Sequence, residues 1–217
     1  MLEKMGEFFD ARLAGYEAHQ LTCIESAREF YPYTAACLPD TPGIHILDLG
    51  CGTGLELEYY FQRNPSARIT GIDLAPGMLQ TLRGKFPEKK MELICGSYFD
   101  VSLGSQAFDG AVSVESLHHF TKEEKLPLYR RLYAALRSGS RFILTDYFAA
   151  SEEEEQFHRR ELARLKQEQG LGENTFYHYD TPLTVAHELE VLEKAHFSVE
   201  ILAQWGATCT IRAIKNN

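Results

Sequence analysis

Apolar positions recur along this chain with two different periods. Short apolar runs at 44–49, 68–73, 91–95, 108–114, 141–146, 198–203 and 207–214 read as strands. Stretches at 54–63, 76–85, 122–137 and 182–195 carry apolar residues on one side of a helical repeat. Strands alternating with helices predict an α/β fold: a mostly parallel sheet of seven strands with helices on both faces. Only Gln204-Trp205-Gly206 separates the last two strands, so they should close as an antiparallel hairpin.

Two regions lie outside the alternation. In the first, Phe9, Leu13 and Tyr16, then Leu21, Ile24, Arg28 and Tyr31, fall at helical spacing. This predicts an N-terminal helix over 5–31, interrupted once and broken by Pro32. In the second, residues 151–170 read SEEEEQFHRRELARLKQEQG. Ser151 and Glu154 have capping-box spacing, and the clustered glutamates suit a helix start. Glu155 can pair with Arg159 one turn on, and Gly170 can end the helix. The segment is either a solvated surface helix or a cover over a pocket, hinged at Gly170–Gly172. Together these regions predict a helical cap on a single unit spanning 1–217, built from 1–42 and an inserted segment, 148–181.

The most specific pattern is ILDLGCGTG, residues 46–54. Glycines just after a strand permit a tight turn and close approach of a ligand to the backbone. The helix that follows offers free N–H groups to polar ligand atoms. The spacing is GxGxG, not the GxGxxG of dinucleotide enzymes. Asp73 ends the next strand, where a carboxylate can accept from both hydroxyls of a ribose.

Composition narrows the partners. The chain of 217 residues is 44% hydrophobic, enough for a proper core, and its net charge is −9. A nucleic-acid backbone as main partner would call for clustered Lys and Arg. The five cysteines are scattered with no CxxC pair, as expected of thiols in a reducing compartment. Neither a signal core nor a membrane-length apolar run is visible, so a cytoplasmic location is expected.

At these residues the chain resembles the class I S-adenosylmethionine (SAM)-dependent methyltransferases that act on small molecules, which have a Rossmann-like sheet. ILDLGCGTG matches the first motif and ITGIDLAPGML the ribose-binding strand and helix. FDGAVSVESLHHF matches the fourth strand with its trailing histidines, and LYRRLYAALRSGSRFILTDY the helix and strand beyond it. The resemblance implies SAM as cofactor and S-adenosylhomocysteine as product. It implies that Asp48, Gly50, Cys51, Gly52 and Gly54 hold the methionine part, Asp73 the ribose, and Leu74 and Met78 the adenine. Val114 borders the same cleft. Many members place an acid after the third strand for the adenine amino group; here Ser97 stands there, and Tyr98 can instead cover the ring.

Catalytic candidates gather where the fourth and fifth strands end, because ligands bind at that edge of such sheets. His119 can serve as a general base or, with His118, only shape its loop. Asp146 can bind or deprotonate substrate, or cap the insertion. Tyr16 can reach the acceptor or sit in the core. Within Phe176–Asp180, Tyr177, His178 or Tyr179 can line a pocket under the insertion, while Asp180 or Thr181 can cap the next helix. Some O-methyltransferases hold Mg²⁺ near the positions of Glu115 and Asp146. Tyr147 is no oxygen-rich neighbour, so no metal is expected. The acceptor should be a small molecule. The alternatives are a tRNA or protein methyltransferase and a non-catalytic SAM-binding protein. Neither the acceptor atom nor the oligomeric state is legible.

Overall fold

The computed structural model describes residues 1–172 and 175–216. Strands β1 (His45–Leu49), β2 (Arg68–Asp73), β3 (Lys90–Cys95), β4 (Phe108–Val114), β5 (Leu136–Tyr147), β6 (Ser198–Trp205) and β7 (Thr208–Ile214) form one sheet, ordered β3-β2-β1-β4-β5-β7-β6. The first five are parallel, and β7 runs antiparallel to both β5 and β6. Strand order reverses between β1 and β4, which opens a crevice beyond their carboxyl ends.

Side chains alternate across β1, so Ile46 enters one core cluster and Leu47 and Leu49 the other, on the opposite face. The helices α4 (Leu55–Arg63), α5 (Pro76–Lys85), α6 (Lys122–Ala135), α7 (Glu152–Glu168) and α8 (Val185–Lys194) follow α1 (Met5–Arg12), α2 (Tyr16–Cys23) and α3 (Ala27–Cys37). β5 begins well before the expected 141, because Leu136 also pairs with Phe108.

Three local expectations change. The N-terminal helix breaks at a 3₁₀ turn, Leu13–Gly15, and at Ser26, whose φ is +58°. It does not break at Pro32, which lies inside α3. Proline removes one intrahelical bond, but Phe30, Tyr31, Thr34 and Ala35 around it are buried, and that packing holds the helix.

The helix expected from residue 182 starts at Val185, because the Thr184 hydroxyl accepts the His187 amide at 3.2 Å. Asp180 and Thr181 do not cap it.

In α7, Ser151 accepts the Glu154 amide at 3.2 Å, while the Glu154 carboxylate turns back to the Ala150 amide at 2.7 Å. Gly170, at φ +62°, closes the helix through Leu171 N–H to Lys166 O and Gly170 N–H to Gln167 O. Glu155 does not pair with Arg159. It is 2% exposed and accepts from Thr184 N at 2.9 Å and faces His187 Nδ1 at 2.7 Å. Arg159 reaches Glu123 instead. One glutamate of the charged run therefore fastens α7 to the start of α8.

The segment before α8 is tied to the N-terminus. Met5 N–H donates to Phe176 O and His178 N–H to Glu3 O, each at 2.9 Å. Asp10 accepts the Gly77 amide at the start of α5. These bonds hold α1 over the carboxyl edge of the sheet. Glu173 and Asn174 of the expected 148–181 cover lie outside the described residues, as does Asn217.

Candidate active site

Gly50, Gly52 and Gly54 all have positive φ, at +75°, +47° and +73°. The first and last are packed. A Cβ on Gly50 would lie 2.0 Å from Ser116 Oγ, and one on Gly54 would lie 2.5 Å from a Leu82 methyl. Gly52 differs. The nearest atom to a Cβ there would be the Tyr16 hydroxyl, 3.8 Å away. Its missing side chain leaves space in a cavity of about 50 Å³ that Asp73, Leu74, Met78 and Tyr98 also line.

Asp73 braces this loop. One carboxylate oxygen accepts the Gly52 amide at 2.9 Å and the other the Ala75 amide at 2.8 Å. Beneath the loop, Asp48 is 1% exposed and stands against Glu56, which is also buried. Burial pushes both carboxyls above their usual range, and for Asp48 the neighbouring Glu56 charge adds to the rise. Asp48 Oδ2 and Glu56 Oε1 have no hydrogen-bond partner. Glu56 gave no sign in the sequence, where it read as one more acid in the first turn of a helix.

Asp48 and Glu56 line neither cavity, and the other expected cofactor contacts also stand back from the cavity wall. Cys51 turns its sulfur toward Gly71, and Gly54 is filled over by Leu82. Ser97 Oγ accepts the Phe99 amide at 3.1 Å and serves its own turn. Val114 is buried in the ladder between β4 and β5. Of the two residues weighed for the adenine region, Tyr98 reaches the cavity, with its hydroxyl 3.2 Å from Ser116 Oγ.

A larger cavity, about 860 Å³, adjoins the first, and Phe9, Tyr16, Glu115 and His119 line both spaces. That volume is within the range of small-molecule pockets. Phe8, Phe9, Ile24 and Trp205 give it an apolar side. His118, Tyr147, His178 and Asp180 give it a polar end. No side chain of α7 reaches either cavity; the cover comes from α1, α2 and the 176–180 run. The hairpin residues Trp205, Ala207 and Thr208, which the sequence did not single out, complete the wall.

The polar end is built where β4 and β5 stop. Glu115 has φ +49°, an uncommon backbone for a side-chain-bearing residue. Its Oε1 is buried without a partner, and burial together with the Asp146 charge pushes its pKa up to about 8. The next residues form a 3₁₀ turn, Leu117–His119. Asp146 holds that turn: Oδ2 accepts the Leu117 and His118 amides at 2.8 and 3.0 Å. Oδ1 accepts the Tyr147 amide at 3.1 Å and faces His118 Nδ1 at 2.5 Å.

Asp146 is therefore fully engaged and lines neither cavity. Burial opposes the charge on His118, but Asp146 and then Asp180 outweigh it and raise the ring to about 9. His119 moves the other way, lowered by burial and by the charge on His118.

Asp180 completes the cluster. Its Oδ1 lies 3.0 Å from His119 Nδ1 and 3.6 Å from His118 Nε2. The flanking chain is pinned there by Thr181 N–H to His118 O, at 2.9 Å. In the sequence Asp180 was legible only as a cap candidate beside Pro182; nothing local distinguished the two roles.

Residues 46–139 match the family model described as "Methyltransferase domain". Over this stretch, fewer than half of its residues, the chain is similar to methyltransferase domains. Similar proteins include a malonyl-[acyl-carrier protein] O-methyltransferase of Acetivibrio thermocellus, 39% identical over 36% of this chain and 27% of that protein. A trans-aconitate 2-methyltransferase of Delftia acidovorans is 36% identical over 48% of this chain and 38% of its own length. These matches span less than half of each relative. A SAM-dependent methyltransferase from Mesorhizobium loti has the same fold, with a TM-score of 0.62 at 21% identity, over 84% of this chain and 96% of that one.

The site fits the family's cofactor. Gly52 leaves a gap that a Cβ would narrow, Asp73 keeps lone pairs beyond its two amide bonds, and two unpartnered carboxyl oxygens lie below the loop where an ammonium group would satisfy them.

Proposed function

We propose that this chain transfers a methyl group from SAM to a small-molecule acceptor held in the larger cavity, leaving S-adenosylhomocysteine. The observation that carries this reading is that Tyr16, Glu115 and His119 form a wall common to the cofactor-side and acceptor-side cavities. SAM supplies a methyl group already activated on a sulfonium. The protein's task is alignment and exclusion of water.

In this reading Asp48 and Glu56 receive the ammonium group, Gly50 to Gly54 the methionine chain, and Asp73 the ribose. Leu74, Met78 and Tyr98 flank the adenine, with Ser97 and Val114 supporting their strand ends. His119 and Tyr16 meet the acceptor. Asp146 acts through His118 as a positioning residue. Met5 and Phe9 lie over the small cavity, so α1 moves aside when the cofactor enters.

A net charge of −9 and the Asp180 carboxylate at the cavity wall weigh against a nucleic-acid acceptor. A cavity of about 860 Å³ beside the cofactor site weighs against a purely regulatory SAM-binding protein. Among the described residues no helix is long and apolar enough to cross a membrane. The five unpaired cysteines support a reducing compartment, and the cytoplasm is the place proposed. Residues 1–42 and 148–181 complete one catalytic unit with the sheet.

The test is a small-metabolite extract incubated with methyl-labelled SAM, with calorimetry of SAM and S-adenosylhomocysteine alongside. Label in one small product supports the reading. Tight SAM binding with label only in RNA or protein, or in nothing, replaces it with one of the alternatives.

A further inference from the structure

Three ligand-type atoms converge at the polar end of the larger cavity: His118 Nε2, His119 Nδ1 and Asp180 Oδ1. All lie within 4.8 Å of one another. We infer that these three residues bind one divalent first-row transition-metal ion, and that the acceptor is a molecule with an ionisable hydroxyl or thiol that takes an open position on it. The substrate part of this inference rests on the methyltransferase reading; the metal site does not.

The spacing suits such an ion. Nitrogen and oxygen ligands at about 2.0–2.2 Å from a metal sit roughly 3.0 Å apart at octahedral angles and about 3.4 Å apart at tetrahedral angles. The two measured separations to Asp180 Oδ1 are 3.0 and 3.6 Å. Asp180 Oδ1 is buried without a hydrogen-bond partner, 3.0 Å from a His119 Nδ1 that also faces Tyr179 O at 3.3 Å. Two imidazoles and one carboxylate with positions left open form the donor set of catalytic zinc and non-haem iron sites.

The support behind the cluster is of the kind a metal site needs. His118 turns its other nitrogen, Nδ1, to Asp146, which three backbone amides fix in place. A carboxylate behind a ligating histidine sets the ring's orientation and raises its basicity. His118 lies between Asp146 and Asp180, with Nδ1 toward the first and Nε2 toward the second. Thr181 N–H to His118 O keeps Asp180 beside the histidines despite their distance along the chain.

The ion also reverses the electrostatics of the cavity. Asp180 lines it, and its carboxylate would repel an acceptor that must become an anion to attack a methyl carbon. A dication on Asp180 lowers the pKa of a bound hydroxyl or thiol and holds the conjugate base at the wall shared with the cofactor side. The acceptor proton leaves to water. An acceptor lone pair forms the new bond to the methyl carbon, and the electrons of the broken C–S bond stay on the sulfonium sulfur.

The experiment is calorimetric titration of the dialysed, chelator-treated full chain with Zn²⁺ alone, paralleled by Co²⁺ with visible spectroscopy. One equivalent should bind, with a Co²⁺ ligand-field spectrum lacking thiolate charge-transfer bands. His118→Ala and Asp180→Asn should each weaken binding at least about 100-fold, and Asp146→Asn roughly 10- to 100-fold. His187→Asn tests the other His–carboxylate pairing, with Glu155 and Glu152, and should leave the titration unchanged. Circular dichroism confirms that each variant is folded. No saturable binding at micromolar metal overturns the site. So does binding insensitive to His118 and Asp180, or binding lost with His187. SAM titrations on the same samples separate the two claims: absent SAM binding counts against the methyltransferase reading and leaves the metal result to stand or fall alone.

Discussion

Asp73 at the end of β2 accepts the backbone amide of Gly52 at 2.9 Å, so the acid of one strand fixes the glycine loop of its neighbour. The same carboxylate retains lone pairs for a ribose. Asp73→Ala should weaken SAM binding by about 1.5–3 kcal/mol, the scale of hydrogen bonds to a charged group. Asp73→Asn should recover part of that. Calorimetry on folded variants decides it, and unchanged affinity in both would remove Asp73 from the cofactor site.

Gly50 and Gly52 should fail in different ways. At Gly50 a methyl meets Ser116, so Gly50→Ala should cost ~2 kcal/mol or more in urea unfolding. At Gly52 the space is open, and Gly52→Ala should cost only about 1–2 kcal/mol, for its left-handed backbone. SAM affinity should nevertheless fall roughly tenfold or more, about 1.4 kcal/mol per tenfold. Equal unfolding costs would contradict this division.

The Asp48–Glu56 pair predicts a pH dependence. Both carboxyls titrate above their ordinary values in the folded protein, so the native state keeps a proton that the unfolded chain has lost. The pair's effect on stability is most favourable below about pH 4. It becomes less favourable as pH rises from there toward the elevated folded values. Glu56→Gln should flatten that decline. Urea unfolding at pH 5 and pH 8 gives the comparison, and parallel profiles for parent and variant would show that no proton is shared.

His119→Ala and Asp146→Ala should each lower turnover by roughly 10- to 1000-fold, once an acceptor is known, with SAM affinity little changed. For Asp146 the loss acts through His118 and the turn it braces. Tyr16→Phe should cost less, because the ring that lines both cavities remains. Normal turnover in all three would put the reacting atom elsewhere.

Glu155 joins α7 to the first turn of α8 through Thr184 N and His187. Glu155→Ala should destabilise by about 1–3 kcal/mol, because it leaves the half-buried Thr184 amide without its acceptor. Hydrogen exchange should become faster across 152–168. In the parent, SAM should change exchange in α1, which covers the cofactor side, and in 176–178, which is bonded to the start of α1, more than in α7. A SAM effect confined to α7 would restore the 151–172 segment as the moving cover.

The sequence by itself determined the strand order of events along the chain, the glycine turn and the ribose-facing acid. These are local signals: an apolar run, a backbone that only glycine adopts readily, a carboxylate at a strand end. It also placed helix α7 and its closing glycine, through capping chemistry contained within a few residues. Tertiary structure alone decided which polar residues are functional neighbours. Asp180 read as a helix cap and became a partner of His118 and His119, because Thr181 is bonded to the turn beyond β4. Glu56 read as a first-turn acid and became the partner of Asp48. Glu155 read as a surface charge and became a buried tie. Asp146 read as a candidate for touching substrate and proved to be enclosed by three amides and a histidine. A carboxylate's role depends on what meets it across the fold, and long-range contacts leave no periodicity for a sequence to display.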